Sequence, residues 1–206
     1  MKLIVTAGPT REHLDPVRYL SNPSTGKMGF AIADVAARRG HEVVLIAGPV
    51  CLKTPKKVAR IDVVSARDMS RAVKEVVAKM GKDAILIATA AVADWRPASC
   101  AKRKLKKQAM NGVLKLTRNP DILKSIKGIT KVGFAAETNE MIAEAARKCR
   151  EKALKFIVAN DVTQSGAGFG SNTNQVTLVF PNGEYRELPM MSKHRVALQI
   201  IKELER

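Results

Sequence analysis

Residues 21–29 read SNPSTGKMG and run straight into a stretch with helical spacing. Free backbone N–H groups at a helix start attract phosphate, and small residues let a ligand come close. Ser24, Gly26 and Lys27 would supply a hydroxyl, an open backbone and a charge, with Gly8 in the TAGPT turn upstream. The pattern is neither GxxxxGK(S/T) nor GxGxxG, and the same residues also suit a glycine-softened helix start. Asn22 sits in a Ser-Asn-Pro turn, where asparagine is at home for backbone reasons. Its amide both donates and accepts, so it equally suits the holding of a carbonyl or acyl oxygen. Asp94 follows an apolar run, where a carboxylate accepts from a base amino group or a ribose, or simply meets water. Lys104 stands in KRKLKK, from which a lysine can close over a triphosphate and neutralise developing charge, or remain solvated. No Ser/His/Asp set and no cysteine nucleophile stands out, so positioning and charge stabilisation are the expected chemistry.

Charge supports an anionic partner. Lys plus Arg is 36 against 19 Asp plus Glu, a formal net charge of +17 over 206 residues. Such an excess concentrates anions near the surface. Basic clusters occur at 102–107, at Lys53, Lys56, Lys57 and Arg60, and at Arg147, Lys148, Arg150, Lys152 and Lys155; taken singly, each also reads as a solvated face. Aromatics are 4% of the chain, and Phe30, Phe134 and Phe156 lie in apolar segments that look like core. With no helix-turn-helix, RNP or zinc-finger spacing, phosphate-bearing small molecules are favoured over specific nucleic acid. Cys51, Cys100 and Cys149 lie far apart without a CxxC, and His13, His41 and His194 are scattered. Neither a disulfide framework nor a transition-metal centre is expected, and free thiols fit a reducing, cytoplasmic setting. No apolar run approaches the roughly 18 residues of a membrane helix.

These residues need a frame. Strand-length apolar runs at 3–6, 41–47, 83–90, 132–135 and 156–159 alternate with helical patterns at 25–39, after a Ser65 cap, and at about 140–152. Residues 175–180 and 184–188 flank Asn182-Gly183 and read as a hairpin. Ser192 can cap a last helix with Val196, Ile200, Ile201 and Leu204 inward. The expectation is an α/β fold, Rossmann-like and doubly wound, with a mostly parallel sheet and a C-terminal β-hairpin, in a single domain over 1–206. Residues 96–118, lysine-rich and without periodicity, are expected to form a flexible basic flap. In such sheets ligands bind beyond the carboxyl ends of the strands. Gly8, the 21–29 segment, 90–94, 136–138 and Asn160-Asp161 fall there.

In order along the chain stand TAGPTREHLDPVRYLSNPSTGKMG, AAVADWRP, KLKKQ, RNPDIL, GFAAET, ANDV and GFGSNTN. Together they closely resemble phosphopantothenoylcysteine synthetase of the bacterial CTP-dependent type, from residue 2 to the last helix. The resemblance implies a ligase of coenzyme A biosynthesis. It joins (R)-4′-phosphopantothenate to L-cysteine through an acyl-cytidylate formed from CTP, with Mg²⁺ accompanying the triphosphate, and releases pyrophosphate and then CMP. It implies a homodimer with the site near the subunit interface. It also implies a flavin-dependent decarboxylase partner, fused or separate; no second α/β unit with a flavin site precedes Met1, so a standalone chain and a piece of a fusion both stay open.

By the same resemblance Asn22 handles the acyl-nucleotide, Arg18 serves the same step, and Lys104 is the flap lysine needed to form the intermediate. Ala90 and Asp94 bound the matching AAVAD segment, with Asp94 at the cytidine. Pro120, Asp121, Ile122, Leu123 and Phe134 match nucleotide-binding positions, as do Lys148 and Lys152, which four residues apart share one helical face. The preference for CTP rests on the resemblance alone. Two other functions compete. A nicotinamide-dependent oxidoreductase would need a glycine fingerprint after the first strand and an acidic residue after the second, and neither is present. A nucleic-acid binder would show steeply salt-dependent binding and no need of Asn22.

Overall fold

A computed structural model describes residues 1–106, 112–137, 141–161, 168 and 170–206. Alternation of apolar side chains sets the centre. β1 (Lys2–Ala7) is buried on both faces. Leu3, Val5 and Ala7 enter one core cluster and Ile4 a second. β4 (Glu42–Ala47), β5 (Val58–Asp62), β6 (Ala84–Ala88), β9 (Thr130–Glu137) and β10 (Phe156–Asp161) join it as parallel neighbours. The antiparallel pair β11 (Thr173–Val179) and β12 (Tyr185–Ser192) completes an eight-stranded sheet in the order β12-β11-β10-β9-β6-β1-β4-β5. The six parallel strands therefore run in the dinucleotide-fold order, with the switch point between β1 and β6.

Helices α1 (Lys27–Arg38) and α5 (Lys193–Glu205) pack together with Leu3, Val5, Phe156 and Val158 in one core cluster. α2 (Ala66–Met80) packs with Ile4, Ile46 and Leu86 in a second. The short α3 (Ile122–Ser125) joins the second cluster through Ile122, and α4 (Met141–Glu151) covers Ile157 and Ala159 in a third. Ser65 caps α2 in a reciprocal box with Asp68. Ser192 caps α5, whose Val196, Ile200, Ile201 and Leu204 point inward as expected. Gly183 takes φ 90° in the turn between β11 and β12. Among the described residues no helix is long and apolar enough to cross a membrane.

The α/β expectation holds, and the C-terminal hairpin with it. Element ends move by a few residues: α1 starts at Lys27 because Gly26, at φ 77°, ends the incoming loop. The expected helix start at Glu140 lies outside the described residues. Four strands have no counterpart in the sequence reading besides β5. β2 (Arg11–His13) pairs with β3 (Tyr19–Ser21), and β7 (Trp95–Pro97) pairs with β8 (Leu116–Arg118). The second pair draws the two ends of the presumed irregular 96–118 stretch together. At three residues each, these strands are too short to show a period.

Candidate functional site

A cavity of about 130 Å³ opens at the carboxyl ends of the parallel strands, between the start of α1 and Thr89, Ala90 and Ala91 beyond β6. Phe134, Ala135 and Asn160, from β9 and β10, form another wall, and Gly168, Asn174 and Lys193 close it. It sits beside the switch point, where the fold leaves a crevice.

Gly26 is the N-cap of α1, and among the described residues no side chain caps that end. Its orphan N–H groups carry partial positive charge. Gly29 permits the close approach of α1 to β1: a Cβ there would lie 2.6 Å from the Ala7 Cβ and 2.4 Å from Thr89 Oγ1. Lys27 and Lys193 occupy the first positions of α1 and α5. A cation there opposes the helix dipole, so neither placement is explained by helix stability. Lys27 Nζ donates to Gly170 O at 2.7 Å and Asn172 Oδ1 at 2.8 Å. Lys193 Nζ donates to Ser171 O at 2.7 Å and Gly168 O at 3.3 Å. Burial, and then the nearby Lys27 charge, lower the Lys193 pKa. Asn174 is 4% exposed, and its buried Oδ1 has no hydrogen-bond partner among the described residues. The uncapped start of α1, the two lysines and Asn174 thus all border one small cavity, with the lysine ammonium groups held by Gly168, Gly170, Ser171 and Asn172.

Of the residues expected from sequence, Ser24, Gly26, Lys27, Ala90 and Phe134 line this cavity. Gly8 approaches Gly26, the Cβ it lacks projecting toward Val50. Asn22 follows β3, and its Nδ2 donates to Ala91 O at 3.1 Å, beside the cavity wall. A second group assembles from the other direction. Asn119 donates to Asp94 O and Ala93 O, tying Asp94 to the Pro120–Leu123 turn. Asp121 caps α3 and meets Lys152 Nζ at 2.9 Å. Burial pushes the Asp121 carboxyl up, but the Lys124 N–H and the Lys152 ammonium outweigh it and hold it low. Lys148, one turn earlier on α4, reaches Glu144 at 3.5 Å. Ile122 is buried in the core and Leu123 packs against it, so their side chains serve packing.

Arg18 and Lys104 form a third group. Arg18 pairs with the buried Asp15 at 2.5 Å and donates to Leu105 O at 2.8 Å. Lys104 is exposed, one residue from that contact. The sequence reading missed Thr89, Asn174 and Lys193. Lys193 did carry a signal, a lysine placed by Ser192 at the positive end of a helix. Asn174 carried none, because its burial depends on the pairing of β11 with its neighbours. Among the described residues no group of three His, Cys, Asp or Glu side chains could hold a metal ion.

The fold and the cavity define an α/β protein with a crevice at its switch point, lined by a helix N-terminus and two lysines. The chain belongs to the family of the DNA/pantothenate metabolism flavoprotein C-terminal domain, which it matches over residues 1–206. It is 48% identical over 207 residues to the coenzyme A biosynthesis bifunctional protein CoaBC of Bacillus subtilis, covering 98% of this chain and 50% of that protein. It is 45% identical over 210 residues to the CoaBC of Vibrio vulnificus, covering 98% of this chain and 51% of that protein. The chain thus spans about half the length of the curated relatives it matches. A crystal structure of the C-terminal domain of a CoaBC protein superposes with a TM-score of 0.82 at 41% identity, covering 99% of this chain and 93% of that one. The resemblance read from the sequence and this family agree.

Proposed function

We propose that residues 1–206 act as one synthetase domain, a phosphopantothenate–cysteine ligase of coenzyme A biosynthesis working in the cytoplasm. The carboxylate of 4′-phosphopantothenate attacks the α-phosphorus of CTP, giving an acyl-cytidylate and pyrophosphate. The amine of L-cysteine then attacks the acyl carbon, forming the amide and releasing CMP. The observation that carries this reading is the cavity at the β1/β6 switch point. It has an uncapped helix end, Lys27 and Lys193 facing it and Asn22 at its edge, in a chain of this family.

In this reading Gly8, Ser24, Gly26 and Lys27 hold phosphate, and Ala90, Asp94, Pro120–Leu123, Phe134, Lys148 and Lys152 surround the nucleotide. Lys104 neutralises charge as the intermediate forms. Asn22 and Arg18 serve its conversion. Mg²⁺ would accompany the triphosphate and neutralise part of its charge. A second copy of the chain is the proposed partner. Val17, Tyr19, Trp95, Leu114 and Leu116 are exposed on and beside the two small sheets, a surface suited to burial. A flavin-dependent decarboxylase, fused or separate, is the other partner.

The test is pyrophosphate release with Mg²⁺, 4′-phosphopantothenate and either CTP or ATP, followed by cysteine addition. Release that requires phosphopantothenate and prefers CTP is expected. Lys104→Gln is expected to abolish release, and Asn22→Asp to release pyrophosphate yet accumulate the acyl-nucleotide. No release with either nucleotide from folded protein overturns the reading, and wild-type turnover by Asn22→Asp removes the role given to that residue.

A further inference from the structure

The turn between β2 and β3 carries a buried carboxylate that the proposed reaction does not use. Asp15 is fully buried on an otherwise accessible arm of the molecule. Its Oδ1 accepts from the N–H groups of Val17 and Arg18, both at 2.9 Å. Its Oδ2 accepts from Arg18 Nε at 3.0 Å, from Arg18 Nη2 at 2.5 Å and from the Leu105 N–H at 3.1 Å. Arg18 Nη2 returns a bond to Leu105 O at 2.8 Å. The Leu105 peptide is thus gripped on both its polar groups by one ion pair. A further tie, from the Ala101 N–H to Leu14 O at 2.8 Å, fixes the other end of the same short segment.

Besides Arg18 itself, two residues of the proposed reaction hang on this turn. Lys104 precedes the gripped residue. Asn22 follows β3, whose Ser21 hydroxyl donates to Thr10 O at 2.8 Å. A turn held only by main-chain bonds would need no charge. A buried carboxylate with five donors is costly unless each is satisfied, and here each is. The Arg18 guanidinium holds the Asp15 carboxyl far below the usual carboxylate range, so it stays ionised throughout the neutral range.

We propose that Asp15 is a positioning residue that, together with Arg18, grips the Leu105 peptide and so fixes Lys104 relative to Asn22. The proposal rests on the ligase reading for its consequence, but the grip itself is measurable without turnover. A loosened segment leaves nucleotide affinity in place and lowers the fraction of complexes in which the lysine is aligned. Misplacement of about 1 Å can cost on the order of a hundredfold in rate.

Two variants separate the grip from folding. Asp15→Asn removes the charge. Leu105→Pro removes the single N–H while leaving the Asp15–Arg18 pair intact, and it tests the proposal even if Asp15→Asn fails to fold. Each is expected to lower the kcat of pyrophosphate release about ten- to a hundredfold, with the KM for CTP within twofold. Backbone hydrogen exchange should quicken across residues 101–104 in both, and also at Leu105 in Asp15→Asn, and at no site within β1 or β6. Unchanged kcat in a folded variant, or a loss confined to KM, overturns the proposal. Unchanged exchange at 101–105 in Asp15→Asn also overturns it. If wild-type protein releases no pyrophosphate the ligase reading fails, whereas the exchange result stands or falls separately.

Discussion

In the eight-stranded body the inward side chains are mostly aliphatic: Leu3, Ile4, Val5, Leu45, Ile46, Leu86 and Ile87 are all completely buried, with Thr6, Lys131, Asn174 and Thr177 the polar exceptions on its strands. In the pair of small sheets the order is reversed. Thr10, Glu12 and Asp15 are buried there, while Val17, Tyr19, Trp95 and Leu116 face outward. The body is held by area removed from water. The small sheets are held by directed polar bonds: Asp15 to Leu105, Glu12 to the Ala66 N–H at 2.8 Å, and Asn119 to Ala93 O at 2.8 Å. Their outer aromatics meet cations, Arg11 over Tyr19 and Arg118 over Trp95, and the Tyr19 ring also meets that of His13. Polar-in and apolar-out leaves this layer with uncovered apolar side chains. The contrast teaches that the body is closed by its own packing, while the small sheets present the apolar face that the proposed second copy would bury.

The largest test of that contrast lies in the body. Gly29→Val would drive a branched side chain into Ala7 and Thr89, and the Cβ alone already lies within 2.6 Å of Ala7 Cβ. Overpacking of this kind costs about 3 kcal/mol or more, roughly 6–12 °C of melting temperature for a chain of this length. A melting temperature within 2 °C of wild type would mean that α1 and β1 are not locked together as described.

The small sheets should respond the opposite way. Leu116→Arg, or Trp95→Glu, alters a side chain 44% or 45% exposed in the isolated chain. Melting of the monomer should move by less than about 0.5 kcal/mol, as for surface changes generally. Self-association, read by sedimentation equilibrium, should weaken at least about thirtyfold, as for loss of a buried interface anchor. A dimer of undiminished affinity would break the comparison, because the outward apolar face would then serve something other than a second copy.

The same division governs what could be read from the sequence. In the body, hydrophobic period and punctuation agree. Ser65 before an apolar helical stripe gave α2, Asn182-Gly183 gave the hairpin, and unbroken aliphatic runs gave the parallel strands. β5 escaped because, as an edge strand, it buries no residue fully. The small sheets escaped because three-residue strands have no measurable period and their burial pattern is inverted. The site was partly legible for a related reason. Residues supplied by one contiguous loop, Ser24, Gly26 and Lys27, can be recognised together. Asn174 and Lys193 join them only through the antiparallel strands and the packing of α5 on α1.

The smallest effect sharpens the contrast within the body, where a polar contact is local and adds to packing already in place. Ser65 Oγ accepts from the Asp68 N–H at 3.2 Å and donates to Asp68 Oδ2 at 2.7 Å, while Asp68 accepts from the Ser65 N–H at 3.1 Å. Ser65→Ala should cost about 1 kcal/mol, or roughly 2–4 °C. Burial pushes the Asp68 carboxyl up, but the Ser65 bonds and the Arg71 charge outweigh it, so its folded pKa is lowered. A lowered folded pKa gives stability that is present above the ordinary carboxylate value of about 4 and fades as pH falls through the folded one. The gap between wild type and Ser65→Ala should therefore be full at pH 7 and narrow below about pH 4, leaving only the bond to the Asp68 N–H. A gap that stayed constant into acid would assign the whole cap to that one bond and none to the carboxylate.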